Sequence, residues 1–155
     1  MEVIPVNKKE ENQKKIAYLK KYKYAILDEK MILEEIRKLR ADKMFPSLAM
    51  DGMPHGNGTS DLSEYAARLD EEINKLKVQR LEKVKIYSDI SSRIRRVEDD
   101  NQRELLMYRY IKGMSWEDIA VKLNYTWRHV HRIHSQALDS IDIKDVIVCH
   151  SKSVI

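Results

Sequence analysis

Apolar residues recur along the first forty positions at the spacing of a helix. Tyr18 and Leu19, Tyr22, Ala25 and Ile26, Ile32 and Leu33, Ile36 and Leu39 fall on one stripe. No glycine or proline interrupts Lys9 to Lys43, and the Lys, Glu, Leu and Ile there are good helix formers. Residues 1–43 are therefore expected to be an N-terminal long helix, frayed over the first eight residues around Pro5. A second stripe begins after Asp61, which can cap a helix with Glu64 three residues on. It runs through Leu62, Ala66, Leu69, Ile73 and Leu76, is interrupted where Arg80 and Lys83 fall on the seam, and resumes with Val84, Tyr87, Ile90, Ile94 and Val97. A helix of that length spans about 55 Å. Neither stripe can be buried by its own helix. The partner is either the other helix, folded back into a hairpin, or another subunit, and the polar interruption marks a crossing point or a shift of register. Between the two stripes, residues 44–60 hold two of the three prolines and three of the four glycines and read as a linker.

The pattern changes at Glu98–Asn101, which offers caps for a new helix. Leu105, Leu106, Tyr108, Arg109, Tyr110 and Ile111 belong to a short helix over about 101–112, and Gly113 ends it. Ser115, with Asp118 three residues later, makes a capping box for a second helix whose inward residues are Ile119, Ala120 and Leu123. Asn124-Tyr125 makes a tight turn, with Asn suited to positive φ. Thr126 caps a third helix, with Val130, Ile133, Ala137, Leu138 and Ile141 facing inward. Three short helices, the last two joined by a tight turn, predict a helix-turn-helix over 101–142, followed by a tail at 143–155. The expected fold is all-α: a long helical hairpin or coiled-coil arm, then a C-terminal three-helix bundle.

In a helix-turn-helix the N-terminal end of the last helix enters the major groove. The outward residues there are Trp127, Arg128, His131 and Arg132. Arg128 and Arg132 can each donate two hydrogen bonds to guanine, His131 can donate to a base or a phosphate, and Trp127 can contact a thymine methyl or a sugar. Thr126 and the backbone amides at Ser115 can meet phosphates.

Charge adds one qualification. The formal net charge of +4 is unevenly spread: residues 1–45 carry 12 Lys/Arg against 8 Asp/Glu, but residues 101–142 carry 6 against 5. Phosphate neutralisation supplies most non-specific affinity for DNA, so this segment needs the basic N-terminal part to supplement it. The single cysteine, Cys149, permits no intrachain disulfide. The N-terminus lacks an apolar signal region, and no run approaches the ~18 apolar residues of a membrane span. A cytoplasmic protein in a bacterial host, associated with the nucleoid and not with a membrane, is expected.

The stretch ELLMYRYIKGMSWEDIAVKLNYTWRHVHRIHSQAL resembles region 4 of bacterial sigma factors, the module that reads the −35 element of promoters. The resemblance rests on E-x-L-x-x-R-Y in the leading helix, the glycine before the capping serine, W-E-D-I-A in the second helix, and T-x-x-x-V-x-x-I-x-x-x-A-L in the third. In layout the whole chain is similar to phage-encoded ArpU/RinA-type transcriptional regulators. The resemblance implies base-edge contacts from Trp127, Arg128, His131 and Arg132, double-stranded DNA as partner, and contact with bacterial RNA polymerase. Sigma factors tend to carry Arg, Glu, Arg and Gln at those four places, so the target need not be a −35 element. No aromatic-rich basic segment for opening DNA occurs in residues 1–100, so a complete sigma factor is not expected.

Other chemistries find less support. His129, His131, His134, Cys149 and His150 lack a paired CxxC or HExxH spacing, and His55 with Met44, Met50 and Met53 lacks regular ligand spacing. No cofactor, metal or enzymatic activity is expected, since no nucleophile–base constellation or phosphate-binding glycine loop is present. The alternative is a helical interaction or oligomerisation protein whose helix-turn-helix docks a protein. A homodimer through the long helices is expected in either case, because one small module makes few base contacts and two half-sites raise specificity.

Overall fold

The computed structural model describes residues 7–44 and 59–144, and every element in them is helical. The helices are α1 (Lys8–Leu19), α2 (Lys21–Met44), α3 (Thr59–Arg95), α4 (Asp100–Leu106), α5 (Trp116–Leu123) and α6 (Trp127–Ser140). A π-helical segment, Met107–Ile111, continues α4. The fold is all-α, as the sequence pattern requires. Most of the linker at 44–60 and of the tail at 143–155, including Cys149 and His150, lies outside the described residues. No described helix is long and apolar enough to cross a membrane. The chain divides into two compact units, one formed by residues 25–84 and the other by residues 1–24 with 85–155.

In the first unit α2 and α3 pair antiparallel. Near one end Gln79 Nε2 donates to the Ala25 carbonyl (3.2 Å), and near the other the Lys43 ammonium lies 5.7 Å from the Tyr65 ring centre. The polar interruption in the second stripe has a structural answer. Glu29 occupies a buried position in the first stripe, where its carboxylate accepts from Arg80 Nε (2.9 Å) and from Lys83 Nζ. Those two cations hold the Glu29 carboxyl below its ordinary range, through hydrogen bonds first and charge second, against the opposing effect of burial. The seam is therefore continuous, with an ion cluster at one end and no shift of phase. It runs from Leu69 through Ile73, Leu76 and Gln79 to Lys83. Val84 and Tyr87, expected on the stripe, are exposed instead.

The second unit has two joined cores. One gathers Tyr18 and Leu19 from α1, Ile90 and Ile94 from α3, Val97, Leu106, Tyr110, and Ala137, Leu138, Ile141 and Ile143 from the end of α6 and beyond. The other gathers Leu105, Ile119, Val130 and Ile133, with Trp116, Ala120, Leu123 and Tyr125 packed on it. The helix-turn-helix thus shares its interior with α1 and the last turns of α3. Residue 100 is not an edge of this core. Polar links reinforce the joint. Buried Lys15 donates through Nζ to the Leu138 carbonyl (2.8 Å) and pairs with Glu11 (3.0 Å), which places a cation against the open carbonyls ending α6. Tyr18 donates its hydroxyl to Asp89, Arg93 pairs with Asp89 (3.2 Å), and Arg93 Nη1 reaches the Asp142 carbonyl (2.8 Å). Burial, then the Asp89 carboxylate, push the Tyr18 hydroxyl far above the usual phenol range.

Candidate nucleic-acid interface

The turn between α5 and α6 is built from local rules. Ser115 Oγ accepts from the Asp118 amide (3.1 Å) and donates to its carboxylate (2.7 Å), which fixes where α5 begins. Asn124 ends α5 in the left-handed region at φ 54° and ψ 45°, a conformation Asn tolerates better than most residues. There the Tyr125 amide reaches back to the Ala120 carbonyl (2.9 Å) and the Asn124 amide to that of Val121 (3.2 Å), the paired bonds of a helix stop. Thr126 Oγ1 then accepts from the His129 amide (3.3 Å) and opens α6. Gly113, at φ +69°, closes the preceding helical segment as expected. The leading helix departs from expectation. After Leu106 it widens into a π-helical segment, closed by a bond from the Lys112 amide to the Met107 carbonyl (3.0 Å).

The six residues singled out by sequence do not form one surface. Arg128 and Arg132 are exposed on the outer face of α6, one turn apart. Arg128 makes no hydrogen bond or ion pair among the described residues, and Arg132 Nη2 lies 2.6 Å from His129 Nδ1. With Asn124, Tyr125, Thr126 and His129 they line an open hollow of about 560 Å³ at the start of α6. Thr126 belongs to this group. Trp127 and His131 lie on the flank of α6 beside it. Trp127 is 51% exposed, and its ring centre is 4.3 Å from that of His131. On the other side His131 meets Trp116 at 4.9 Å, and its Nε2 is buried without a hydrogen-bond partner. That ring is a packing element between two tryptophans, with Nε2 turned away from solvent. Ser115 is half-buried and engaged with Asp118, and the Glu117 and Asp118 carboxylates in the same first turn set negative charge where a phosphate would approach.

Two residues join the site from outside the sequence assignment. His129 lies edge-on to Tyr125 (4.5 Å) and beside Arg132, on the wall of the hollow. It stands four residues after Tyr125 and three before Arg132, a spacing that sets the three on one side of the start of α6. His134 is the second. It is buried beneath the reading helix, with Nε2 2.8 Å from the Tyr110 hydroxyl and its ring 4.7 Å from Trp116. Burial, and then the nearby charges of His131 and Arg109, depress its pKa to about 4, so the ring is neutral at pH 7. Burial likewise pushes the Tyr110 hydroxyl up to about 12. The Arg109 guanidinium sits 4.5 Å from the Trp116 ring centre and donates through Nη1 to the Met114 carbonyl (2.9 Å). The spacing Val130–His134–Ala137–Leu138–Ile141 marks position 134 as inward, although its residue type does not.

The unit that holds the helix-turn-helix is basic. Its described part holds seven lysines against two glutamates in residues 7–24, and eleven Lys/Arg against nine Asp/Glu in residues 85–144. The near-neutral helix-turn-helix is thus part of a unit made basic mainly by α1 and the residues just after it. Among the described residues no group of three or more His, Cys, Asp or Glu is placed to hold a metal ion.

No curated protein and no solved structure matches the chain. Residues 99–141 match the family model described as Sigma-70, region 4, and this segment, from the cap of α4 to the end of α6, is a sigma region 4-like helix-turn-helix, a module of the DNA-binding kind.

Proposed function

We propose that the chain is a sequence-specific regulator of transcription that binds double-stranded DNA with the N-terminal half of α6 in the major groove. The observation that carries this reading is the pair of exposed arginines, Arg128 and Arg132, on a helix whose start is fixed by Asn124 and Thr126. The two side chains reach outward one turn apart, a spacing that suits neighbouring base pairs. Each guanidinium can donate a bidentate pair to guanine O6 and N7. His129 steadies Arg132 at its Nδ1, and Thr126 contributes a hydroxyl at phosphate height. Trp127, half exposed at the flank, meets a sugar or a thymine methyl. His131 acts behind it by holding the indole in place, and Ser115 acts chiefly as the cap that sets α5. The lysines of α1 and the start of α2 supply the non-specific attraction that the helix-turn-helix itself lacks.

The layout and the sigma-type module support control of phage or prophage genes in a bacterial host, with RNA polymerase contacted from the DNA-bound position. Selection of bound sequences from a random duplex pool tests the reading. A defined site should emerge for the native chain, and none for Arg128→Ala/Arg132→Ala. Retention of the same site and affinity by that double variant would reject α6 as the reader. Transcription from a promoter carrying the selected site, with and without the protein, then gives the sign of regulation.

A further inference from the structure

The two arginines at the start of α6 have unlike surroundings. Arg128 has no hydrogen-bond, ion-pair or ring partner among the described residues. Arg132 Nη2 stands 2.6 Å from His129 Nδ1. A guanidinium only donates, so Nδ1 is the acceptor and the ring proton of His129 sits on Nε2. The imidazole is itself placed from behind. Its ring lies at 85° to that of Tyr125, with centres 4.5 Å apart, and the Tyr125 hydroxyl donates to Asn101 Oδ1 on α4 (3.2 Å). Contacts therefore run from α4 through Tyr125 and His129 to Arg132, and nothing equivalent reaches Arg128.

A guanidinium presents two edges with paired N–H groups, Nε with Nη2 and Nη1 with Nη2, and either edge fits guanine O6 and N7. The bond to His129 takes one Nη2 hydrogen and leaves Arg132 a single paired edge. It also removes, before DNA arrives, part of the rotamer freedom that an arginine loses on binding. Arg128 keeps both edges and its rotamers, so it can turn to a displaced or different acceptor. A wrong base opposite Arg132 leaves donors that cannot turn without giving up His129.

We propose that His129 is a positioning residue that sets specificity: held by it, Arg132 reads a guanine strictly, whereas Arg128 reads its base pair loosely. The proposal rests on the reading of α6 as the helix that enters the major groove. The DNA site is then unequal along its length, with one strictly required guanine and a tolerant position one helical turn of α6 away.

The test measures affinity of the full chain for the duplex selected from the random pool and for its single-base variants. Arg132→Ala and Arg128→Ala first identify the base pair that each arginine meets. In the native chain, replacing the guanine met by Arg132 should lower affinity by about fiftyfold, and replacing the base met by Arg128 by about fivefold. His129→Phe keeps a ring against Tyr125 but offers no acceptor. It should reduce the penalty at the Arg132 position to about fivefold, while the penalty at the Arg128 position and the affinity for unrelated duplex stay within about twofold of native. His129→Asn, whose Oδ1 takes the place of Nδ1, should restore most of the lost penalty. Equal native penalties at the two positions overturn the proposal. So does a His129→Phe chain that keeps the Arg132 penalty or loses both penalties alike, and so does failure of His129→Asn to restore it. If neither single arginine variant relaxes any position, the DNA reading fails and the proposal falls with it, a result distinct from failure at His129 alone.

Discussion

The neutral histidine beneath the reading helix makes the stability of the helix-turn-helix depend on mild acid. His134 has a pKa of about 4 in the folded chain, because burial and then the charges of His131 and Arg109 disfavour its cation. In the unfolded chain it titrates near 6.5. Between these values the unfolded chain binds a proton that the folded chain does not. Stability contributed by this site is therefore fully present above about pH 6.5, falls as pH drops, and levels off below about pH 4. The expected loss is about 2 kcal/mol at pH 5 and about 3 kcal/mol at pH 4 relative to pH 7.5. The comparison chain is His134→Phe/Tyr110→Phe, which removes the ring and its hydroxyl partner together and strands neither. Urea unfolding, followed by helical signal at pH 7.5, 6.5, 5.5 and 5, measures both chains above the range where carboxylates such as Glu29 take up protons. The native chain should lose about 2 kcal/mol more than the double variant across that range. A native-to-variant difference that stays constant within about 0.5 kcal/mol would refute the argument. It would mean that His134 accepts its proton without opening the contact between α6 and the Trp116 side of α5.

Other substitutions separate the remaining physical claims. Glu29→Ala leaves Lys83 and Arg80 facing the hairpin seam without their acceptor and should cost about 1–2 kcal/mol, a figure discounted because Arg80 is largely exposed. Glu29→Leu/Lys83→Leu, which extends the apolar seam, should be neutral or stabilising by about 1 kcal/mol in the same denaturation assay. Lys15→Met keeps the aliphatic stem but removes the donor to the Leu138 carbonyl, and should cost about 1–3 kcal/mol in stability. Asn124→Gly should change stability by less than about 0.5 kcal/mol, whereas Asn124→Ala should cost about 1 kcal/mol through its left-handed backbone. For the selected DNA site, Arg128→Ala should cost about 1–3 kcal/mol and relax the preference at one position. Replacing exposed lysines of α1, such as Lys14→Gln, should weaken binding to all sequences alike and lower the slope of log affinity against log salt.

What the sequence made legible follows from how local each determinant is. The stop at Gly113, the Ser115 capping box, the Asn124 turn and the Thr126 cap each depend on four or five adjacent residues, and all four stand where the pattern put them. The inward set Val130, Ile133, Ala137, Leu138 and Ile141 is buried for the same reason, since one amphipathic period determines it. Three departures from the pattern place a polar residue inward, whereas Val84 and Tyr87 are apolar residues that stand outward. His134 is inward by spacing, although its residue type suits a surface. Lys83 reads as a break in the stripe because its partner, Glu29, lies 54 residues away in the gap between Ile26 and Ile32. Lys15 is buried with a backbone carbonyl 123 residues on as its acceptor, a partner that spacing along α1 does not reveal. A buried ionisable group can be recognised only with its partner, and periodicity carries no information about partners so distant in sequence.

The same distinction clarifies the reading surface. Helical phase alone sets Trp127, Arg128, His131 and Arg132 together, because it measures only the angle from a buried stripe. Packing divides them. Trp127 and His131 lean toward Trp116 on α5, while Arg128 and Arg132 stand clear of it beside His129. The arginines carry the flexible, hydrogen-bonding part of the surface and the aromatic stack its rigid flank. A rigid flank limits how α6 can tilt in a groove, and the two exposed guanidinium groups then sample only the bases within their reach. On this argument His131→Ala should loosen the orientation of Trp127 and weaken binding to the preferred site less than Arg128→Ala does, without shifting which base is chosen. A change of preferred base in His131→Ala, scored by the same pool selection, would show that the imidazole touches DNA directly and that the stack is not its main role.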